Sequence, residues 1–336
     1  MVTTRARLAL MGATTHAVPG VAFDVDLDSF EELSSVREWC DLQGLTHVSL
    51  EPLPTGDVRH RLRHGLGGDA IADLPADRRP GARLWMYTNF NCNLACDYCC
   101  VSSSPRAPRR TLPADTVERL CAEAASAGVA HIYLTGGEPF LRADIARLVT
   151  ACASAADTVV LTNGMLFGGA RRAWLDACPR ESVTLQISID SAEAALHDLH
   201  RGAGSHAGAL AGIAIAQELG FRVKVAATLS PADHGEKPGL HRMCDELGLG
   251  GEDRVVRRIA QQGCADEGVR VSRASIIPEI CITDAGVWWH PVGANDPALR
   301  VSDGIPSLGD VIETVTTEFR RHRAESDLIA ASFPCG

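Results

Sequence analysis

Residues 91–100 read Asn-Cys-Asn-Leu-Ala-Cys-Asp-Tyr-Cys-Cys and place Cys92, Cys96 and Cys99 at C-x3-C-x2-C spacing. Three thiolates so close in sequence can converge on one metal centre from a single tight loop. A cubane iron–sulfur cluster has four irons, so three protein ligands leave one iron open, whereas ordinary electron-transfer clusters take four Cys. Structural zinc is the competing reading. It needs a fourth Cys or His at regular spacing, and Cys100 is a neighbour whose side chain does not easily share a site with that of Cys99. Random placement of the chain's 12 Cys would give such a triplet about 0.015 times, so its presence is not accidental.

Other chemistry-bearing residues are spread along the chain. Gly136-Gly137-Glu138-Pro139 permits unusual φ and a close backbone approach to a ligand; taken alone it is also a common turn former. Ser188 and Asp190 stand two apart and so share one face of a strand. Ser188 is the better ligand contact, and Asp190 equally suits a cap on the next helix. Gly202-x-Gly204 lacks a correctly placed third glycine and a preceding strand, so it reads as a loop. Cys264, Cys281 and Cys335 form a second, looser group towards the C-terminus. Cys40, Cys121, Cys152 and Cys178 occupy apolar helical positions and read as small buried side chains.

The elements that must position these residues become regular from Ala82. Strands are expected at 82–88, 131–135, 158–162, 182–189, 222–228 and 254–259. Helices are expected at 114–128, 142–155, 168–177, 205–219 and 238–247. Alternation of Val/Ile/Leu-rich strands with helices specifies a parallel sheet with helices outside. Six units fall short of a closed eight-fold barrel and predict an open, partial (β/α)6 barrel, whose active site lies at the C-terminal strand ends. The Cys loop, the Gly-Gly-Glu-Pro stretch, Thr162-Asn163-Gly164 and Ser188-Ile189-Asp190 all fall there. Residues 1–82 read as a small N-terminal α/β region, with strands at 7–11, 20–25 and 46–53, a helix from Phe30 to Gly44, and a linker or irregular excursion over 55–80. Residues 261–336 read as a small second domain with a hairpin around Asp284-Ala285-Gly286 and a helix near 308–333. The barrel itself then occupies 83–260.

The formal net charge of −10 argues against a nucleic-acid partner and mildly favours a cationic or neutral substrate. Lys224 and Lys237 are the only lysines, which argues against Schiff-base chemistry, and no Walker-type motif is present. No stretch is apolar for long enough to span a membrane. Many Cys without a secretion signal point to metal ligands and buried thiols in a reducing, cytoplasmic setting.

The Cys92-x3-Cys96-x2-Cys99 loop after the first barrel strand, Tyr98 before the third Cys, and Gly136-Gly137-Glu138-Pro139 after the second strand resemble the radical S-adenosylmethionine (SAM) superfamily. Thr162-Asn163-Gly164, Ser188-Ile189-Asp190 and the stretch from His197 to Ser205 extend the resemblance. It implies a 4Fe–4S cluster on Cys92, Cys96 and Cys99, with SAM on the open iron and a one-electron reductant such as flavodoxin or ferredoxin. It further implies that the backbone of 136–139 binds the methionine amino group with Glu138 supporting the turn. Tyr98 then packs near adenine, Asn163, Ser188 and Asp190 belong to the SAM site, and Arg201 holds the SAM carboxylate or else a surface salt bridge. Cys281-x4-Gly286-x4-Pro291 resembles the hairpin of the SPASM and twitch auxiliary-cluster domains, with Pro291 where those families carry Cys. Three readings of Cys264, Cys281 and Cys335 stay open: ligands of a second cluster, with Cys244, His290 or substrate as the fourth; a hydrogen-atom donor such as Cys281; or a domain without a cluster. The expected reaction is hydrogen abstraction from a natural product, of aminoglycoside or aminocyclitol type, leading to dehydrogenation or epimerisation. The alternatives are maturation of a ribosomally made peptide and, from another class, a non-catalytic iron–sulfur or zinc protein.

Overall fold

The structure, a computed structural model, describes residues 2–18, 20–29, 31, 33–65, 68–230, 232–325, 330–331 and 333–335. Phe30 and the stretches 326–329 and 332 of the expected C-terminal helix lie outside the described residues. The chain divides into two units. One comprises Met1–Pro80, Ser272–Pro278 and Thr316–Pro334, the other Gly81–Val271, Glu279–Val315 and Cys335–Gly336.

In the first unit α1 (Thr4–Thr15), β1 (Ala22–Leu27), α2 (Leu33–Leu42), β2 (Leu45–Pro52) and β3 (Val58–His64) follow in order. The strand order is β1-β3-β2, and the short strand Ala330–Ala331 adds on parallel to β2. Two expectations are corrected here. The apolar run at 7–11 is helical: Thr3 caps it by accepting the Ala6 N–H at 3.2 Å, and only Ala6 and Leu10, one turn apart, are buried in it. The expected linker over 55–80 contains β3. Arg59 and Arg61 of β3 stand opposite Asp26 and Asp24 of β1 and bond them at 2.8 and 3.0 Å, which fixes the register by charge. Leu10, Val36, Trp39, Leu45 and Leu62 form this unit's core.

The second unit carries β4 (Arg83–Tyr87), α3 (Ala114–Ala127), β5 (His131–Thr135), α4 (Ile145–Ala153), β6 (Asp157–Thr162), α5 (Arg171–Asp176) and β7 (Val183–Ser188). It continues through α6 (Ala194–Arg201), α7 (Ser205–Glu218), β8 (Arg222–Leu229), α8 (Lys237–Glu246) and β9 (Arg254–Arg258). β4 to β9 lie side by side in sequence order, every pair parallel. Leu84, Trp85, Met86, Ile132, Leu134, Val160, Leu185, Ile187 and Val225 are buried, as in a sheet covered on both faces.

β10 (Ile280–Thr283), β11 (Gly286–Trp288), β12 (Arg300–Ser302) and α9 (Leu308–Glu325) complete the chain's labelled elements. The hairpin around Asp284-Ala285-Gly286 is present. Its strand β10 pairs parallel with β4 and extends the main sheet from its other edge. The stretch 261–336 is shared between the two units, and the cut falls within α9. α6, where no helix was expected, lies between β7 and α7.

Candidate active site

The strand ends supply one residue group after another. After β4 the chain runs into the Cys loop, and the backbone ahead of Cys92 is tied to the turn after β5. Gly137 N–H donates to the Asn89 carbonyl at 2.9 Å and Glu138 N–H to the Asn91 carbonyl at 3.1 Å. The Asn89 side-chain amide donates to the carbonyls of Asn91 and Glu138 at 2.9 and 3.0 Å. A Cβ on Gly136 would come within 2.4 Å of Asn89 Oδ1, and one on Gly137 within 2.2 Å of the Asn91 carbonyl oxygen. Glycine is thus required because two backbones touch, and the Cys loop is what they approach.

Glu138 is fully buried. Its Oε1 accepts from Phe140 N–H at 3.0 Å and from the Thr162 hydroxyl at 2.8 Å, and its Oε2 accepts from Asn163 N–H at 2.8 Å. Burial raises its pKa and these donors oppose the rise without cancelling it. The carboxyl group joins the ends of β5 and β6. Asn163 carries the link onward: its Nδ2 donates to Asn93 Oδ1 at 2.8 Å and lies 3.8 Å from Cys92 Sγ.

Beyond β7, Ser188 is half-buried and Asp190 is buried. The Asp190 carboxylate accepts from Arg201 Nε at 2.6 Å and Nη2 at 3.2 Å, from Thr228 N–H at 2.9 Å, and from the Tyr98 hydroxyl. Burial works to raise its pKa, but the Arg201 charge and these donors outweigh burial and hold it below the usual carboxylate range. Two expectations change. Asp190 caps no helix, since Glu193 occupies the N-cap of α6. Arg201 is a buried partner of Asp190, not a surface salt bridge, and spends two of its donor groups there. It also lies over the Tyr98 ring, 5.5 Å from the centroid. Tyr98 is thereby anchored through its hydroxyl. A last tie comes from α6, where His200 Nδ1 stands 2.8 Å from Asp97 Oδ2 while Asp97 N–H donates to the His200 carbonyl at 3.1 Å.

The donor set fits the expected cluster. Leu94 N–H points at Cys92 Sγ at 3.4 Å and Ser103 N–H at Cys99 Sγ at 3.2 Å, an arrangement that stabilises thiolate. Burial, then the Glu138 charge, pushes Cys92 up to about 12, and burial pushes Cys96 up to about 11 against the opposing pull of Arg201. Ligation at neutral pH must therefore release protons. Among the described residues no three His, Cys, Asp or Glu side chains converge closely enough for a single metal ion.

The members of the second Cys group differ in exposure. Cys264 is exposed, while Cys281 and Cys335 are buried. Cys264 N–H donates to the Cys99 carbonyl at 2.9 Å. Cys281 belongs with Cys335 and Cys100: burial first, then these neighbours, raises its thiol pKa. Tyr87 closes that group, its hydroxyl 3.9 Å from Cys100 Sγ and donating to the Pro291 carbonyl at 3.0 Å. Cys244 is buried on α8, and His290 accepts the Val292 N–H at 3.2 Å. Sequence reasoning missed Asn89, Asn91, Asn93, Asp97 and His200. The signal was an Asn at every second position before and after Cys92.

Residues 86–238 match the radical SAM superfamily. Among curated proteins, GTP 3',8-cyclase of Synechococcus sp. (strain CC9902) is 34% identical over 156 residues, 45% of this chain and 44% of that protein. The PqqA peptide cyclase of Methylobacterium sp. (strain 4-46) is 38% identical over 107 residues, 31% of this chain and 27% of that protein. The matched stretch is thus less than half the length of either relative. Among solved structures, native anSMEcpe with bound AdoMet aligns with a TM-score of 0.54 at 11% identity, over 72% of this chain and 82% of that one. That likeness shows the mixed α/β fold with its parallel sheet.

Proposed function

Because the chain belongs to the radical SAM superfamily, a family that uses a 4Fe–4S cluster and SAM, we propose that Cys92, Cys96 and Cys99 hold that cluster and that the strand ends around it bind SAM. The observation that carries this reading is the Cys loop itself, with three thiols after β4 and its backbone pressed against Gly136 and Gly137. A 4Fe–4S cluster held by Cys92, Cys96 and Cys99 would supply the single electron for reductive cleavage of SAM, the chemistry by which this family abstracts hydrogen from substrate.

This chain's own residues do the positioning. Asn89, Gly137 and Asn163 fix the loop, Asn163 through Asn93 and Cys92. Tyr98, held by Asp190, presents its ring to adenine, and Ser188 offers a hydroxyl at the end of β7. The backbone of 136–139 is assigned the methionine amino group. The Arg201 fork is committed to Asp190, so its part is to hold Tyr98 and Asp190 in place, and the SAM carboxylate is left to another group.

The reaction we propose is dehydrogenation or epimerisation of an aminocyclitol- or aminoglycoside-like natural product, supported by the net charge of −10, which favours a cationic substrate. A ribosomally made peptide is the second reading, favoured by similarity to a peptide cyclase. A flavodoxin or ferredoxin is the proposed reductant. Among the described residues no helix is long and apolar enough to cross a membrane, and a cytoplasmic setting is proposed from the Cys usage.

Anaerobic reconstitution tests the core of the proposal. SAM should change the electron paramagnetic resonance signal of the reduced cluster, and dithionite should then yield 5'-deoxyadenosine. An unchanged signal with no 5'-deoxyadenosine would refute it. Substrate class is tested by deuterium transfer from labelled aminoglycoside or peptide into 5'-deoxyadenosine. Solvent deuterium in the product, lost in Cys281→Ala, would mark epimerisation with a thiol donor.

A further inference from the structure

Ser103 follows the Cys loop and is 4% exposed. Its backbone N–H donates to Cys99 Sγ at 3.2 Å, while its hydroxyl oxygen is buried with no hydrogen-bond partner. A buried hydroxyl without a partner costs stability, and alanine would fill the same place without that cost. The hydroxyl thus calls for an acceptor that the polypeptide does not supply.

The backbone around Ser103 is fastened on both sides. Ser102 N–H donates to the Cys99 carbonyl at 3.1 Å, and Cys92 N–H donates to the Ser104 carbonyl at 3.2 Å. The Asn295 side-chain amide donates to the Val101 carbonyl at 2.9 Å. Ser102 is the one non-glycine residue with a positive φ, 54°, among the described residues. Such backbone is unfavourable for a residue with a Cβ, and here it lies directly ahead of the N–H that meets Cys99 Sγ. Covalent geometry keeps the Ser103 hydroxyl oxygen within about 4 Å of that same amide nitrogen, so the orphaned group stands on the sulfur side of Cys99.

A hydroxyl hydrogen rotates to suit its acceptor. The cluster assigned to Cys99 offers thiolate and sulfide sulfurs, all of them acceptors. Reduction adds one negative charge to it. A donor to sulfur therefore stabilises the reduced form more than the oxidised one and raises the potential.

We propose that the Ser103 hydroxyl donates a hydrogen bond to a sulfur of the cluster bound through Cys99 and thereby raises its reduction potential. The inference rests on the assignment of Cys92, Cys96 and Cys99 to that cluster and extends it to a residue outside their motif.

The test is a reductive titration of the anaerobically reconstituted full-length chain, without SAM, followed by electron paramagnetic resonance. Iron content and the wild-type signal check the cluster assignment separately. Their absence overturns that assignment and this proposal with it, whereas a loaded wild type leaves the outcome to Ser103. Ser103→Ala should then weaken the reduction equilibrium threefold or more, a midpoint lower by about 30 mV or more. Ser103→Thr, which keeps the hydroxyl, should lie closer to wild type. After brief exchange into D2O, pulsed resonance should show a deuteron coupled to the reduced cluster in wild type that Ser103→Ala lacks. The proposal is overturned if the Ser103→Ala midpoint falls by less than about 30 mV, if Ser103→Thr falls as far, or if the deuteron spectra of wild type and Ser103→Ala coincide. Should Ser103→Ala not load iron, the deuteron decides: its presence in both wild type and Ser103→Thr supports the proposal, and its absence from either overturns it.

Discussion

Replacing Arg201 with Leu isolates the buried charge that holds Tyr98. Asp190 and Arg201 are 2% and 7% exposed, and their contacts are at 2.6 and 3.2 Å. Without the guanidinium, Asp190 keeps only the Tyr98 hydroxyl and the Thr228 N–H. Removing one partner of a buried pair costs about 3–5 kcal/mol, and the lower end applies because two donors remain. At about 2–4 °C per kcal/mol for a unit of this size, the melting point should fall by roughly 6–12 °C. The pH dependence carries the diagnosis. In the native chain the folded pKa of Asp190 is depressed, so its stabilisation is complete above the unfolded value and disappears only in acid. It adds no slope between pH 6 and 8. In Arg201→Leu burial prevails, the folded pKa rises above the unfolded one, and the folded state holds the proton more tightly. Stability then falls as pH rises. Urea denaturation of wild type and variant at pH 6 and 8, under reducing conditions, should show a larger deficit at pH 8, and adding Asp190→Asn should abolish that difference. A deficit under about 1 kcal/mol, or one equal at both pH values, would refute the account of this pair.

Three further outcomes follow from other contacts. Gly137→Ala places a Cβ 2.2 Å from the Asn91 carbonyl; the loop must move, at about 1–3 kcal/mol, and reconstituted iron and 5'-deoxyadenosine yield should both drop, so a variant with full iron and full yield would disprove the required backbone contact. Glu138→Gln sets an amide N–H against a backbone or hydroxyl donor, and urea denaturation should show a loss of about 1–3 kcal/mol. Burial keeps His47 and His60 neutral, pulled down to about 3 and about 4. Their stabilising effect is therefore whole above pH ~6.5 and lost below it, with a slope of up to about 1.4 kcal/mol per pH unit for each ring. Protection factors for hydrogen exchange across β2 and β3, taken relative to the intrinsic rate at each pH, should fall between pH 6.5 and 5 in wild type and less so in His60→Gln.

The parallel sheet was legible because most of its strands are largely buried and rich in Val, Ile and Leu. The metal loop was legible because thiols at close spacing need no tertiary information. What escaped notice depended on partners distant in sequence. β3 alternates Arg with Val, His and Leu, and looks like a polar linker until Asp24 and Asp26 of β1 are set opposite it. The run at 7–11 looks like a strand because four apolar residues are consecutive, although Leu8 and Met11 are exposed. Cys281 was grouped with Cys264 by order along the chain. β10 instead crosses to the β4 edge and brings it to Cys100 and Cys335.

Arg201 shows most plainly how a side chain's chemistry can be read from sequence while its partner in the fold cannot. A guanidinium near the mouth of the sheet suits a carboxylate, and a carboxylate does occupy it, but that of Asp190. The same pairing helps to hold the shape of the Cys loop from residues between its sulfurs. Tyr98 and Asp97 sit inside the loop and are fastened to Asp190 and His200, while Asn89 and Asn163 fasten its start. With the backbone held in this way, Cys92 and Cys96 can remain protonated thiols until metal arrives, and their raised pKa values become a cost of ligation, separate from the cost of ordering the loop.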